Sequence, residues 1–333
     1  MRNNYWDLCK GISIVAVVVI HAAGILSGHS SDDFRTIIGI VLRQFIDFAV
    51  PVFLFISGYF AFNNKPKDNL VKTRLIRVII PYLCCSLLYV LSDFITKGKI
   101  YSLYDLVEAL LLGKAMIVGY FVIVIIQFII ITPAIWMIDR EKHHVLLMIL
   151  ITSLGLAYTY ITKLYLPQSL FATFPLSAIP FFIWYPFFHL GFYLSRYQKT
   201  IPLRNVTFPL LILLAITEGL FLYKISGYEF ATSQIKISSF LLSICICAFI
   251  YNNKNRHIKK SIFTFLGVNS YPIYLLHMLF LPRATTLTTK LNITEEHPIL
   301  SIALIILITL LLSAFVTLCV QKLLPKYSRY IIG

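Results

Sequence analysis

His21 is the residue whose chemistry stands out first in this sequence. An imidazole titrates close to neutral pH, so it can take a proton in one step and return it in the next. It lies near the end of "DLCKGISIVAVVVIHA" (7–22), where a long apolar run follows Asp7 and Lys10. His21 comes eleven positions after Lys10. At 100° per residue the two fall within about 20° of one helix face and about 16 Å apart along the axis. Asp7 falls on a neighbouring line. A histidine so placed can act as a general base, bind a metal or hydrogen-bond a neighbouring helix. No convergent ligand set for a metal is visible.

Other polar groups sit at comparable places in apolar runs. Asp47 is suited to hold the His21 imidazole in one tautomer and to stabilise its charged form. It is equally suited to an i, i+4 ion pair with Arg43. Glu218 can serve as an alternative carboxylate partner, as a proton relay or as an interhelical hydrogen-bond acceptor. His277 comes at a depth close to that of His21, whereas His189 reads as structural. Arg74 and Arg77 form Arg-x-x-Arg, adjacent on one helix face. Guanidinium forks suit phosphate oxygens, and such a pair also fits the ordinary basic flank of a membrane helix.

The elements that must position these residues are membrane helices. Of 333 residues, 59% are hydrophobic and 13% charged, with a mean hydropathy of +0.83. Soluble domains carry about 25% charged residues. The expected fold is therefore an all-α polytopic membrane protein. About ten apolar runs approach the length of a span: roughly 11–27, 40–62, 76–96, 115–137, 144–162, 177–194, 206–223, 234–251, 265–283 and 299–320. Segment 100–113, interrupted by Asp105 and Glu108, reads as an interfacial amphipathic helix. About two thirds of the Lys and Arg fall on the side of the N-terminus and the even-numbered turns, which puts both termini in the cytoplasm. Loop 63–77 is the most basic, with Lys65, Lys67, Lys72, Arg74 and Arg77. Lys10 then lies at the inner interface and His21 in the outer half of the bilayer.

The net charge of +15 follows from this loop bias, and no nucleic-acid partner is expected. Most of the six cysteines lie inside apolar runs without zinc spacing, so they read as small buried hydrophobes rather than a disulfide framework. Residues 1–24 loosely fit a signal peptide, but Asp7 and His21 fit it badly, and a retained first helix is expected. No internal repeat is visible. One membrane domain over 1–333, without an appended soluble domain, must do the chemistry with helices and short loops.

Several stretches together resemble the acyltransferase-3 family of bacterial integral membrane acyltransferases. "YWDLCKGISIVAVVVIH" (5–21) is similar to that family's opening, a basic residue, ten intervening residues and a histidine; many members have arginine where this chain has Lys10. "VPVFLFISGYF" (50–60) resembles its second-helix signature, "RLIR" (74–77) its Arg-x-x-Arg, and "NSYPIYLLH" (269–277) its late signature. "YFVIVIIQFIIITPAIW" (120–136) is a looser match. The matches run in family order from residue 5 to about 320.

The resemblance implies transfer of an acyl group, usually acetyl from acetyl-CoA, to a sugar or polysaccharide made at the envelope. It implies His21 as the catalytic histidine, Lys10, Arg74 and Arg77 as the basic residues tied to the acyl-CoA donor, and Ser270, Tyr274 and His277 as supporting residues. No metal is implied, and the setting is the bacterial inner membrane with its lipids. Asp47 and Glu218 are candidates from the residues alone. The acceptor, direct transfer against an acyl-histidine intermediate, and the oligomeric state stay open. Ten helices with intramembrane acids and prolines also fit a polysaccharide or small-solute transporter, although the paired inverted halves common there are not visible. A non-catalytic partner in glycan export is the third reading.

Overall fold

The computed structural model describes residues 4–26, 34–63 and 70–333. Lys65 and Lys67 of the basic loop lie outside the described residues. Among the described residues there is helix and no strand, as expected where hydrocarbon offers backbone groups no partner but the chain itself.

The chain forms two compact units, each assembled from separate stretches, with the family resemblance running through both. One comprises 1–65, 134–173 and 180–268; the other comprises 66–133, 174–179 and 269–333. The first contains α1 (Asn4–Ala22), a 3₁₀ turn (Ala23–Leu26), α2 (Phe34–Ile46) and α3 (Ala49–Asn63). It also holds α7 (Glu141–Tyr160), α8 (Phe181–Tyr197), α9 (Thr207–Ser226), the single-turn α10 (Tyr228–Ala231), α11 (Ile237–Asn252) and α12 (Ile262–Val268). The second contains α4 (Leu70–Lys97), α5 (Leu103–Leu111), α6 (Gly119–Trp136, whose last turn falls in the first unit), α13 (Ser270–Lys290), α14 (Ile293–Glu296), α15 (Pro298–Leu323) and α16 (Ser328–Ile331).

Each of the ten apolar runs coincides with a helix or a helix pair. Among the described residues seven spans are long and apolar enough to cross a bilayer, with α2 and α3 counted together as Phe34–Phe62, or eight if α12 and α13 are taken as one. The difference from ten lies chiefly in α8 and α11, which have 17 and 16 residues where about 20 are needed.

Two runs expected to be single helices are interrupted, and proline accounts for both. The second run starts earlier, at Phe34, and breaks at Asp47 and Phe48. Pro51 has no N–H for the carbonyl of Asp47, and its ring crowds that carbonyl. The late run breaks at Asn269, where Pro272 stands four residues after Val268. In both places the proline sits in the first turn of the following helix, where it is tolerated.

In the first unit the helices close on a core of Tyr5, Trp6, Phe55, Leu194, Cys247 and Tyr251 with their neighbours, drawn from α1, α3, α8 and α11. Helix α3 lies directly against α8 through a reciprocal glycine contact. A methyl on Gly58 would sit 1.9 Å from the Phe188 carbonyl oxygen, and one on Gly191 2.0 Å from that of Phe55. Small residues permit this backbone approach, the usual basis of helix packing in lipid.

In the second unit, tyrosine hydroxyls tie helices to neighbouring backbone. Tyr89 donates to Leu275 O at 2.9 Å, Tyr271 to Val78 O at 2.8 Å and Tyr274 to Val118 O at 2.6 Å. Segment 100–113 contains the expected short helix, α5. Ser102 Oγ accepts from Asp105 N at 3.1 Å while Asp105 Oδ2 accepts from Ser102 N at 3.2 Å, a reciprocal capping box. Large apolar side chains on both units, such as Leu154, Phe221, Leu311 and Phe315, are exposed, as suits a surface facing lipid. All six cysteines are free thiols, with Cys9, Cys85 and Cys247 buried.

Candidate functional site

Helix α1 carries two of the expected residues. Lys10 Nζ lies 2.9 Å from Asp7 Oδ1, with side-chain exposures of 24% and 4%. The neighbouring line predicted for Asp7 is thus a contact, and Asp7 steers the Lys10 ammonium. This end of α1 is pressed against α12. A methyl on Gly11 would fall 1.8 Å from Phe263 O, and one on Gly267 1.7 Å from Asp7 O. Tyr5 donates to Ile250 O at 3.0 Å, adding a tie to α11. At the other end, half-buried His21 stands in the last turn of α1.

Asp47 and Glu218 belong to one buried polar cluster. Asp47, at the break between α2 and α3, accepts from Arg43 Nε at 2.9 Å and from Ser239 Oγ at 3.4 Å. Lys236 Nζ lies 4.0 Å from Asp47 Oδ2, and both side chains are almost wholly buried. The ammonium also donates to Gln44 Oε1 at 2.5 Å and to Ser239 Oγ. Arg43 Nη2 reaches Thr232 O at 2.6 Å. Glu218, on α9, acts electrostatically on Lys236. Its carboxylate accepts from Ser238 N at 2.7 Å and from the Tyr160 hydroxyl, which itself accepts from Ile237 N at 3.0 Å. Two cations therefore balance two carboxylates around the first turn of α11, and Glu218 answers a backbone donor, Ser238 N, that the helix N-terminus leaves open.

The i, i+4 pairing of Arg43 with Asp47 is present. Lys236 is the member that sequence reasoning missed. A lysine inside an apolar run was the available signal, but its neutralising partners are remote in the chain. A second buried group was also missed. His144 Nδ1 lies 2.7 Å from His189 Nε2, and His144 Nε2 lies 3.0 Å from Ile138 O, which also accepts from Arg196.

The remaining expected residues lie on the second unit. Arg74 is half-buried and Arg77 exposed, both near the start of α4. Arg77 makes no ion pair with a described residue. An exposed guanidinium near a helix end fits a phosphate ligand in type and access. Ser270 opens α13, with Tyr274 and His277 on the same helix. His277 is fully buried, and its Nδ1 lies 2.7 Å from Tyr274 O in its own helix turn. Lys10, His21, Asp47 and Glu218 thus share one unit, and Arg74, Arg77, Ser270, Tyr274 and His277 share the other. Among the described residues, no group of three or more His, Cys, Asp or Glu is placed to hold a metal ion.

The chain is similar to known proteins over most of its length. Curated relatives from Staphylococcus aureus strains MSSA476, MW2 and MRSA252 are each described as a probable poly-beta-1,6-N-acetyl-D-glucosamine export protein. Each is 24% identical over 310 residues, covering 88% of this chain and 84% of the relative. No solved structure matches. A family profile described as an acyltransferase domain matches residues 3–318, and so takes in every candidate residue of both units. With that match over nearly its whole length, the chain belongs to the acyltransferase-3 family of membrane acyltransferases.

Proposed function

We propose that this protein is a membrane O-acyltransferase that moves acetyl from cytoplasmic acetyl-CoA to a hydroxyl of a cell-surface glycan or lipid-linked sugar. The acyltransferase-domain match over residues 3–318 carries this reading. The paired Lys10 and Asp7, with His21 on the same helix, support it. The chain would cross the bacterial inner membrane ten times with both termini in the cytoplasm, short α8 and α11 included.

Arg74, Arg77 and Lys10 hold the anionic donor, and His21 meets the acyl carbon or the attacking hydroxyl. In direct transfer His21 takes the hydroxyl proton, the new C–O ester bond forms and the thioester C–S bond breaks. The thiolate of coenzyme A leaves and takes up a proton. In the two-step route the His21 imidazole first accepts the acyl group and then yields it to the hydroxyl. The relatives' printed name suggests a polymer of N-acetylglucosamine as the first acceptor to try.

That same name favours a second reading, in which the chain moves a polysaccharide or assists its export without transferring an acyl group. One assay separates them. Purified protein receives radiolabelled acetyl-CoA and β-1,6-linked N-acetylglucosamine oligomers. Base-labile label on the oligomer or protein, lost in His21→Ala, is expected. Absence of label from well-folded protein with this and other envelope glycans would leave the export reading standing.

A further inference from the structure

A second basic site lies in the unit formed by α4, α5, α13 and their neighbours. An open pocket of about 450 Å³ is walled by the end of α4, the segment 99–101, the turn after α5 and the second half of α13. Four cations line it, Lys97, Lys99, Lys114 and Arg283, against one acid, Asp93. Asp93 is already engaged, by Lys97 at 2.7 Å and by the Tyr101 hydroxyl at 2.9 Å. Glu108 holds Lys114 at 2.6 Å. Lys99 and Arg283 make no ion pair with any described residue. Lys99 lies over the Tyr101 ring at 4.1 Å, and Arg283 is braced by Ser92 Oγ at 2.9 Å and by the Leu279 carbonyl. The rim therefore offers two cations beyond ion-pair distance of any described carboxylate, with Asp93 and Asp105 acting on Lys99 only from further away.

The other walls are different. Tyr89, Ala115 and Met116, which also line the pocket, are buried. Ile117 and Pro282, which also line it, are exposed, and Met278 and Leu279 are half-buried, so part of the wall can face an acyl chain. A cationic rim next to an apolar wall matches an amphiphile with an anionic head rather than a free soluble anion.

Position along α4 supplies the remaining argument. Arg74 and Lys97 are near opposite ends of this one helix, about 35 Å apart at 1.5 Å per residue. That is close to the hydrocarbon thickness of a bilayer, about 30 Å. Lysines and arginines normally gather at one face, which Lys72, Arg74 and Arg77 already mark. A pocket at the other end in which Lys99 and Arg283 have no ion-pair partner among the described residues fits an anionic ligand.

We propose that this pocket binds the phosphate-bearing head group of a membrane lipid at the bilayer face opposite Arg74 and Arg77. Arg283 and Lys99 contact the phosphate oxygens, and the acyl or prenyl chain lies along Ile117, Leu279 and Pro282. The site goes beyond the acyl-transfer reading and holds whether or not the protein transfers an acyl group.

The test is lipid binding by the full chain in nanodiscs of neutral lipid. Native mass spectrometry and competition would use phosphatidylglycerol, a polyprenyl monophosphate, a diacylglycerol of matched chains and inorganic phosphate alone. Both phosphate-bearing lipids, or one of them, should bind at least tenfold more tightly than diacylglycerol and than inorganic phosphate. A preference for polyprenyl phosphate would mark a carrier lipid, and a preference for phosphatidylglycerol a structural lipid. Lys99→Gln with Arg283→Gln should reduce that binding about tenfold, while Lys99→Arg with Arg283→Lys retains it and Lys322→Gln, outside the pocket, has no effect. Equal binding of diacylglycerol, or undiminished binding by the folded Lys99→Gln/Arg283→Gln protein, overturns the proposal. No acyl donor is needed, so failure here and failure of the catalytic reading are separate results.

Discussion

Lys236 Nζ lies 4.0 Å from Asp47 Oδ2 with both side chains withdrawn from their surroundings. An ammonium at that depth is tolerable only because Asp47, Gln44 and Ser239 surround it. Removing one member of a buried pair costs about 3–5 kcal/mol, because the other is left uncompensated. Asp47→Ala should therefore lower the unfolding midpoint in detergent steeply. Asp47→Ala combined with Lys236→Met should recover part of the loss, and additive losses would show that the two groups are not coupled.

Glu218 allows stability and chemistry to be separated. Glu218→Gln keeps an oxygen that can accept from Ser238 N and Tyr160, so the thermal midpoint should fall only slightly. Glu218→Ala removes that acceptor and should cost about 1–3 kcal/mol. If Glu218 only positions α11, acyl transfer by Glu218→Gln stays near wild type. A loss of 100-fold or more at unchanged stability would make it an acid or base.

The glycine contact between α1 and α12 should tolerate no side chain. Gly11→Ala places a carbon where Phe263 O now lies, and the expected cost is about 1–3 kcal/mol. The altered seat of α1 should also change the Asp7–Lys10 geometry, raising the KM for acetyl-CoA in parallel. A wild-type melting curve for Gly11→Ala would show that the two helices are less closely packed than described.

Arg74→Ala with Arg77→Ala should raise the KM for acetyl-CoA about tenfold or more and change kcat less. Titration of donor binding by the purified variant checks this. Unchanged affinity would remove both residues from the donor site.

The capping box of α5 predicts a local pH response. Hydrogen bonds from Ser102 hold the Asp105 carboxyl below its ordinary range. A carboxylate with a depressed folded pKa contributes its full stabilisation above its unfolded value, about 3.9, and loses it as pH falls through the folded value. Amide exchange in the first turn of α5 should accelerate as pH is lowered below about 4 relative to intrinsic rates. Asp105→Asn should largely remove this dependence.

Much of the fold was readable because apolar run length is a strong local signal in a membrane protein. The two interruptions were readable in principle, since Pro51 and Pro272 each stand four residues after a carbonyl they cannot serve. Continuous hydropathy masked them. Lys10 with Asp7 and Arg43 with Asp47 follow from helical spacing. Lys236, and the meeting of His144 with His189, do not, because each depends on helices whose partners local sequence does not reveal. The glycine contacts lie between, since a glycine is visible in a sequence but the carbonyl it admits is not.

The break at Asp47 also bears on the order in which the chain is made. Asp47 enters the membrane well before Ser239, 192 positions later, leaves the ribosome, and at about 10 residues per second the interval is about 20 s. During that time Lys236 does not yet exist, and Asp47 has only Arg43, four residues back on the same stretch, to offset its charge. The i, i+4 pair thus serves as a temporary neutraliser that allows the first helices to be inserted. Arrival of Lys236 then supplies the second cation and locks early and late translation products together.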